Sequence, residues 1–317
     1  MADDPTIEAG VGASATGTEM AQLDELTAPT PTRLAILADP HIATEATGTL
    51  KCYHHTETFF RRAVDGVQSA NPDAVVIAGD LTKDGEAHNV DRYDELAAPL
   101  SEPLVIPGNH DAPKTYVDHD VMPVEQFAAR YTDSGYPVHK RVGGLDLYCL
   151  NSATMPDGSL HETWGGALST RQLSWLDEQL ATESDGTSTP VVVLHHNLFA
   201  QPEHSHQFGG NFQLANSDQL LDCLVDHAPV LVISGHHHIP SIHSTAGVTE
   251  IISPAVCSYP QSYLFVDVGP DGTSIRRVPV LTPSERAESY TLGVTGSEFE
   301  QGILDIATAR IRDEPFQ

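Results

Sequence analysis

The chain is short of positive charge. Its 317 residues include 16 Lys and Arg against 44 Asp and Glu, a formal net charge of −28. Lysine is confined to Lys51, Lys83, Lys114 and Lys140. Holding a nucleic-acid backbone or an anionic membrane by charge takes clustered Lys and Arg, so the expectation is no nucleic-acid and no membrane partner. The acid excess resembles that of proteins from a high-salt cytoplasm, where acidic surfaces stay solvated and their repulsion is screened. Cysteine is also sparse. Cys52, Cys149, Cys223 and Cys257 lie far apart with no CxxC pair, which argues against a disulfide scaffold and suits reduced, packed thiols in a reducing compartment. No apolar run approaches the ~18 residues that span a bilayer. The N-terminus lacks the basic-then-apolar pattern of a secretory signal. The expected location is therefore cytoplasmic.

What is present divides into three stretches. Residues 1–32 carry six acids and no Lys or Arg, and read as an acidic leader, disordered or loosely docked, with a short helical turn near Gln22–Leu26. Residues 33–283 alternate short apolar runs with helical spacing and form the main domain. Residues 284–317 form a tail with a terminal helix over 299–311. In the main domain, 34–38, 74–78 and 104–106 read as buried strands, separated by helical patterns over 56–70 and 88–98. That rhythm implies parallel pairing with crossover helices, an α/β fold. Gly143-Gly144 marks a hairpin between 138–142 and 145–150. A helix over 168–181, with Ser169 as N-cap, leads to a strand over 190–194. A helix over 217–227 leads to the strand 229–233. Further strands are expected over 248–252, 262–268 and 274–280.

The ends of five of these strands carry metal-type donors: Asp39-Pro40-His41, Gly79-Asp80, Gly108-Asn109-His110-Asp111, His195-His196, and Gly235-His236-His237-His238. In open α/β sheets ligands gather at the carboxyl ends of strands, so residues distant in sequence converge in space. In an extended or tightly turned segment, His236 and His238 point to one side and His237 to the other. Mixed oxygen and nitrogen donors without thiolate suit Mn, Fe or Zn better than Ca or Mg.

Taken together, D-x-H, G-D, G-N-H-D, H and G-H-x-H resemble the calcineurin-like metallophosphoesterase family over about residues 34–240. The resemblance implies a four-layer α-β-β-α sandwich of two mixed sheets, with a dinuclear metal site at the strand C-terminal ends. It implies Asp39, His41 and His238 on one metal, Asn109, His195 and His236 on the other, and Asp80 bridging both. A metal-bridging hydroxide would be the nucleophile, and His110 the electrophilic stabiliser or general acid. Of the pair His195/His196, the family pattern favours His195 as the ligand. Asp111 is expected to orient its neighbours by hydrogen bonding.

The segment Trp164-Gly165-Gly166-Ala167-Leu168-Ser169 with Gln172-Leu173 and Trp175-Leu176, and the turn Ser253-Pro254-Ala255-Val256-Cys257-Ser258, resemble the cyclic-nucleotide phosphodiesterase branch. The implied function is a metal-dependent phosphodiesterase of small substrates such as 3′,5′-cyclic AMP. A phosphomonoesterase or broad phosphodiesterase is the alternative, and a non-catalytic scaffold the outlier. His54 and His55 read as a surface pair at a helix start near the site. The loop 198–215, with His204 and His206, reads as a substrate lid. That loop and the terminal helix are the candidate contacts for a homodimer.

Overall fold

In the computed structural model the described residues are 17–114, 117–154, 165–182, 186–200, 213–312 and 315. The strands in chain order are β1 (Thr18–Leu23), β2 (Thr32–Leu37), β3 (Ala74–Ile77), β4 (Leu104–Val105), β5 (Val138–Val142), β6 (Leu145–Cys149), β7 (Thr189–Val193), β8 (Val230–Ser234), β9 (Ser241–Thr245), β10 (Val248–Ile252), β11 (Ser262–Gly269) and β12 (Gly272–Pro279). The helices are α1 (Thr56–Ala70), α2 (Ala87–Ala97), α3 (Val124–Tyr131), α4 (Thr170–Thr182), α5 (Ser217–Val225), α6 (Pro283–Val294) and α7 (Glu298–Arg312).

Two six-stranded mixed sheets result, ordered β1-β12-β11-β2-β3-β4 and β5-β6-β7-β8-β10-β9. In the first, β2, β3 and β4 run parallel, and β11, β12 and β1 add antiparallel partners. In the second, β6, β7, β8 and β10 run parallel between antiparallel edges β5 and β9. Period-2 alternation explains how the sheets stack. Leu145, Leu147, Val191, Val193, Leu231 and Ile233 join the first sheet's residues in the main core. Their neighbours Tyr148, Val192, Leu194, Val230 and Val232 pack on the other face, against Leu176 and Leu180 of α4 and Leu220 and Leu224 of α5. The expected arrangement of two mixed sheets between helices is what forms.

Local signals account for several boundaries. The Gly143-Gly144 hairpin joins β5 and β6, with Val142 opposite Leu145. Ser169 Oγ accepts the Gln172 N–H (3.3 Å), an N-cap for α4. Asn71 closes α1 in a left-handed conformation, as C-terminal caps do. At the N-terminal side the structure corrects the expectation that order begins at Arg33. Thr18–Leu23 forms edge strand β1 on β12, not a helical turn. Its buried Met20 and Ala21 explain why it docks despite the acids around it. Residues 1–16 lie outside the described residues. Helix α6 was also unanticipated. Thr282 caps it with a capping box to Glu285, and Pro283 stands at its start, both favourable at a helix N-terminus.

Among the described residues, no helix is long and apolar enough to cross a membrane. The four cysteines are free, and Cys52, Cys149 and Cys257 are buried.

Gly66 of α1 faces Tyr263 of β11, and a Cβ there would overlap Tyr263 Oη. Alanine improves an exposed helix by ~1 kcal/mol, but overpacking a core costs about 1–3 kcal/mol. Gly66→Ala is therefore expected to lower the urea midpoint. A raised midpoint would show that Tyr263 yields freely.

Candidate metal centre

The parallel strands β2, β3, β4, β7 and β8 all end at one side of the molecule. Backbone ladders continue a few residues past them. Asp39 N–H donates to Gly79 O (3.1 Å), His41 N–H to Asp80 O (3.0 Å) and Gly235 N–H to His195 O (3.1 Å). These bonds hold the loops in register, and five candidate ligands adopt positive φ: Asp39 (51°), His41 (43°), Asp80 (53°), His236 (64°) and His238 (65°). For residues other than glycine such conformations cost of order 1–3 kcal/mol each and collect at functional sites. Asp and His tolerate them better than most residues.

The side chains converge accordingly. Asp39, His41, Asp80 and His238 form one buried group of donor atoms, and Asp80, His195 and His236 form another. Asp80 belongs to both. Its Oδ2 lies 3.4 Å from His41 Nε2 and 3.4 Å from His195 Nε2. Its Oδ1 accepts the His110 N–H (2.8 Å), which fixes the carboxylate plane. His238 Nε2 lies 3.2 Å from Asp39 Oδ1 and 3.3 Å from His41 Nε2. Asn109 Oδ1 lies 3.3 Å from His195 Nε2, while Asn109 Nδ2 is buried with no hydrogen-bond partner.

Outer contacts aim these rings. His195 Nδ1–H donates to Ala78 O (2.7 Å), which turns Nε2 toward Asp80. His238 Nδ1 bonds Ser258 Oγ (2.7 Å). Fixing one imidazole nitrogen to orient the other is the usual arrangement around metal-binding histidines. His196 faces elsewhere: its Nδ1 bonds Ser152 Oγ (2.9 Å), and its ring lies 4.5 Å from that of His236. His237 is in neither donor group among the described residues, but it borders the adjoining cleft. The Asp111 carboxylate accepts N–H groups of Leu81, Thr82 and Gly108 (3.1, 3.3 and 3.0 Å), tying two ligand loops together.

The electrostatics fit a cation site. Asp39 and Asp80 are buried carboxylates with no arginine pair among the described residues. Burial opposes the charge on Asp80, yet His195 and His110 hold its carboxyl well below the usual range. Burial depresses His195, but Asp80 outweighs it and lifts the imidazole to about 9. A buried carboxylate that draws a proton onto its histidine neighbour is short of positive charge. Imidazole nitrogens, carboxylate oxygens and one amide oxygen suit a first-row transition metal.

Four contributors escape sequence reading. Asp84 Oδ1 lies 3.1 Å from His110 Nδ1, which donates to Lys83 O (2.5 Å). Lys114 Nζ donates to His110 O (2.6 Å). Glu250 is buried in β10 and accepts Leu198 N–H, Phe199 N–H and Ser234 Oγ–H (2.7, 2.9 and 2.7 Å), with its carboxyl pushed up by burial to about 7. It pins the chain leaving His195-His196-Asn197. A lone acid in an apolar strand was the available signal, since a buried charge needs partners. Cys257, expected only as part of a turn, lies within donor range of His41 and His238, and burial pushes its thiol well above the ordinary value. His54 and His55 form a pair as expected, bound to Glu288 of α6 (2.9 and 3.1 Å). His204, His206 and most of the expected lid fall in 201–212, outside the described residues.

Glycine is required where backbones touch these ligands. A Cβ on Gly108 would overlap the Asp80 carboxylate and lie 2.5 Å from Asp80 N, and one on Gly235 would lie 2.7 Å from Asp39 Oδ2. Gly108→Ala is expected to displace Asp80 and weaken Mn²⁺ binding by roughly tenfold or more, with the far-UV spectrum retained. Unchanged Mn²⁺ affinity in a calorimetric titration would contradict this placement of Asp80.

Comparison with known proteins agrees with this geometry. The family model for calcineurin-like phosphoesterase matches residues 32–240. A probable cyclic nucleotide phosphodiesterase of Rhodococcus erythropolis is 29% identical over 249 residues, covering 74% of this chain and 74% of that protein. One from Synechococcus is 26% identical over 215 residues, covering 65% and 76%. Among solved structures, a dimetal phosphatase from Danio rerio superposes with TM-score 0.61 at 16% identity, covering 79% of this chain and 96% of that one. A purple acid phosphatase from yellow lupin gives TM-score 0.54 at 12% identity, covering 80% and 52%. With its sheets, strand-end donors and matched span in agreement, the chain belongs to the calcineurin-like phosphoesterase family of metal-dependent phosphoester hydrolases.

Proposed function

We propose that the chain is a dinuclear phosphodiesterase of small phosphodiesters such as 3′,5′-cyclic AMP. The observation that carries the dinuclear reading is the position of Asp80 Oδ2, 3.4 Å from a histidine of each donor group. Asp39, His41 and His238 would hold one metal, Asn109, His195 and His236 the other, and Asp80 would serve both. Mn, Fe and Zn all suit these donors. Two such ions would acidify a water and neutralise the phosphoryl oxygens. The relatives named as probable cyclic nucleotide phosphodiesterases support the diester. So does a cleft of about 440 Å³ beside the donors, within the range of small-molecule sites.

His110 supplies the proton. Its Nδ1–H is committed to Lys83 O, so Nε2, 3.4 Å from Lys51 Nζ, is the nitrogen left to exchange a proton. Burial and Lys51 lower its affinity for a proton, while Asp84 and Asp80 oppose them. The net result lies below the ordinary imidazole value, so a protonated His110 readily gives its proton to the departing alkoxide. The acidic composition and free thiols support a reducing, high-salt cytoplasm as its compartment.

Asp80→Ala is expected to remove both metals together and to lower kcat/KM by ~10²-fold or more; elemental analysis showing one metal fully retained contradicts the shared role. With Mn²⁺ in molar salt, cyclic AMP and bis(p-nitrophenyl) phosphate are expected to turn over. Inert cyclic AMP alongside rapid p-nitrophenyl phosphate cleavage would favour a monoesterase.

A further inference from the structure

The cleft beside the donors has a mixed lining. Asp80, Asn109, His110 and His236 are polar members of it, and Leu50, Phe299 and Ile303 give it an apolar wall. Phe299 and Ile303 belong to α7, beyond the matched span of 32–240. That wall is built into the fold. Leu50, Ile239, Ile303, Leu304 and Ala307 form a separate apolar cluster, and Ile239 directly follows His238. Glu300 Oε1 accepts the Leu50 N–H (2.8 Å), while Oε2 accepts Ser297 N–H and Oγ–H (2.8 and 2.9 Å). Glu288 binds His54 and His55. The loop carrying Lys51 is thus fastened to α6 and α7 on both sides of the lysine.

Lys51 Nζ lies 3.1 Å from His41 Nε2 and 3.4 Å from His110 Nε2. Lys83 and Lys114 reach Asp84, and Lys140 reaches Glu102. Lys51 alone of the four has no carboxylate partner among the described residues. An ammonium directed at a site that takes cations is repelled unless an anion lies between them. A phosphoryl group is that anion, and lysine binds phosphate as a point charge. In the same lining, Phe299 is 42% exposed and stands with the aliphatic Leu50 and Ile303. Such a surface favours a flat ring over a hydroxylated chain.

We propose that this cleft is a two-part substrate pocket. Lys51 binds the phosphoryl oxygens, and Phe299 with Ile303 and Leu50 receives a planar ring on the organic arm of the ester, selecting ring-bearing phosphoesters over plain alkyl ones. This deepens the phosphodiesterase reading and rests on it for the reaction.

The test uses two probes that no phosphoesterase chemistry consumes, phenylphosphonate and methylphosphonate, titrated calorimetrically into the Mn²⁺-loaded full chain. Wild type is expected to prefer the phenyl compound by about tenfold, from burial of the ring. Phe299→Ala is expected to cut that preference about fivefold or more, and Phe299→Trp to keep it. Lys51→Met is expected to weaken both probes by a similar factor, about tenfold, with manganese content unchanged. An intact preference in Phe299→Ala, or undiminished binding in Lys51→Met, overturns the pocket. The probes are not hydrolysed, so this outcome stands whichever esters the enzyme cleaves; a failure of the diesterase reading appears separately, in the substrate panel.

Discussion

The structure depends on one shared carboxylate. Asp80 is buried between the ends of two sheets, with one oxygen held by the backbone of His110 and the other facing His41 and His195. A charge so placed is tolerated only with compensation. Much of the surrounding design follows from that. The strands run parallel so that their carboxyl ends meet. The loops beyond them take left-handed turns at Asp39, His41, Asp80, His236 and His238. Gly108 and Gly235 lack side chains where a Cβ would displace a carboxylate. Asp111 laces the β3 and β4 loops together through three backbone N–H groups.

The second sheet contributes through a separate set of supports. Glu250 holds the backbone after His195-His196-Asn197 and bonds Ser234, the last residue of β8. Asn197 Nδ2 in turn donates to Gly235 O (2.9 Å). The two histidine-bearing strand ends are therefore braced against each other before any ion is involved. The C-terminal helices add a third layer of control. Through Ile303, Leu304 and Ala307, α7 packs on Ile239, the residue after His238, and on Leu50 in the loop that presents Lys51. The site's chemistry comes from the strand ends, and its shape toward an organic group comes from α7.

The strand-end donors were legible because each follows a contiguous apolar run, and because their types and order are specific. The parallel core was legible for the same reason. The edge strands were not: β1 and β9 have mixed burial and no apolar run to betray them. Helix α6 buries only Ser289 and Gly293, so hydrophobic spacing gave no signal, although Thr282-Pro283-Ser284-Glu285 spells its start. The choice between His195 and His196 depended on which ring reaches Asp80, a tertiary fact. Asp84, Lys114 and Lys51 act through partners that no local pattern records. The stretch 17–32 reads as a loose acidic leader because its charge hides four buried apolar residues, Met20, Ala21, Leu26 and Ala28.

The central claim is that Asp80 joins two metals into one site. Electron paramagnetic resonance of the chain loaded with Mn²⁺ tests it most directly. Two ions sharing a carboxylate at roughly 3.5–4 Å are predicted to give the spectrum of an exchange-coupled pair at two manganese per chain. Spectra of isolated Mn²⁺ only, or saturation at a single ion, would contradict the account.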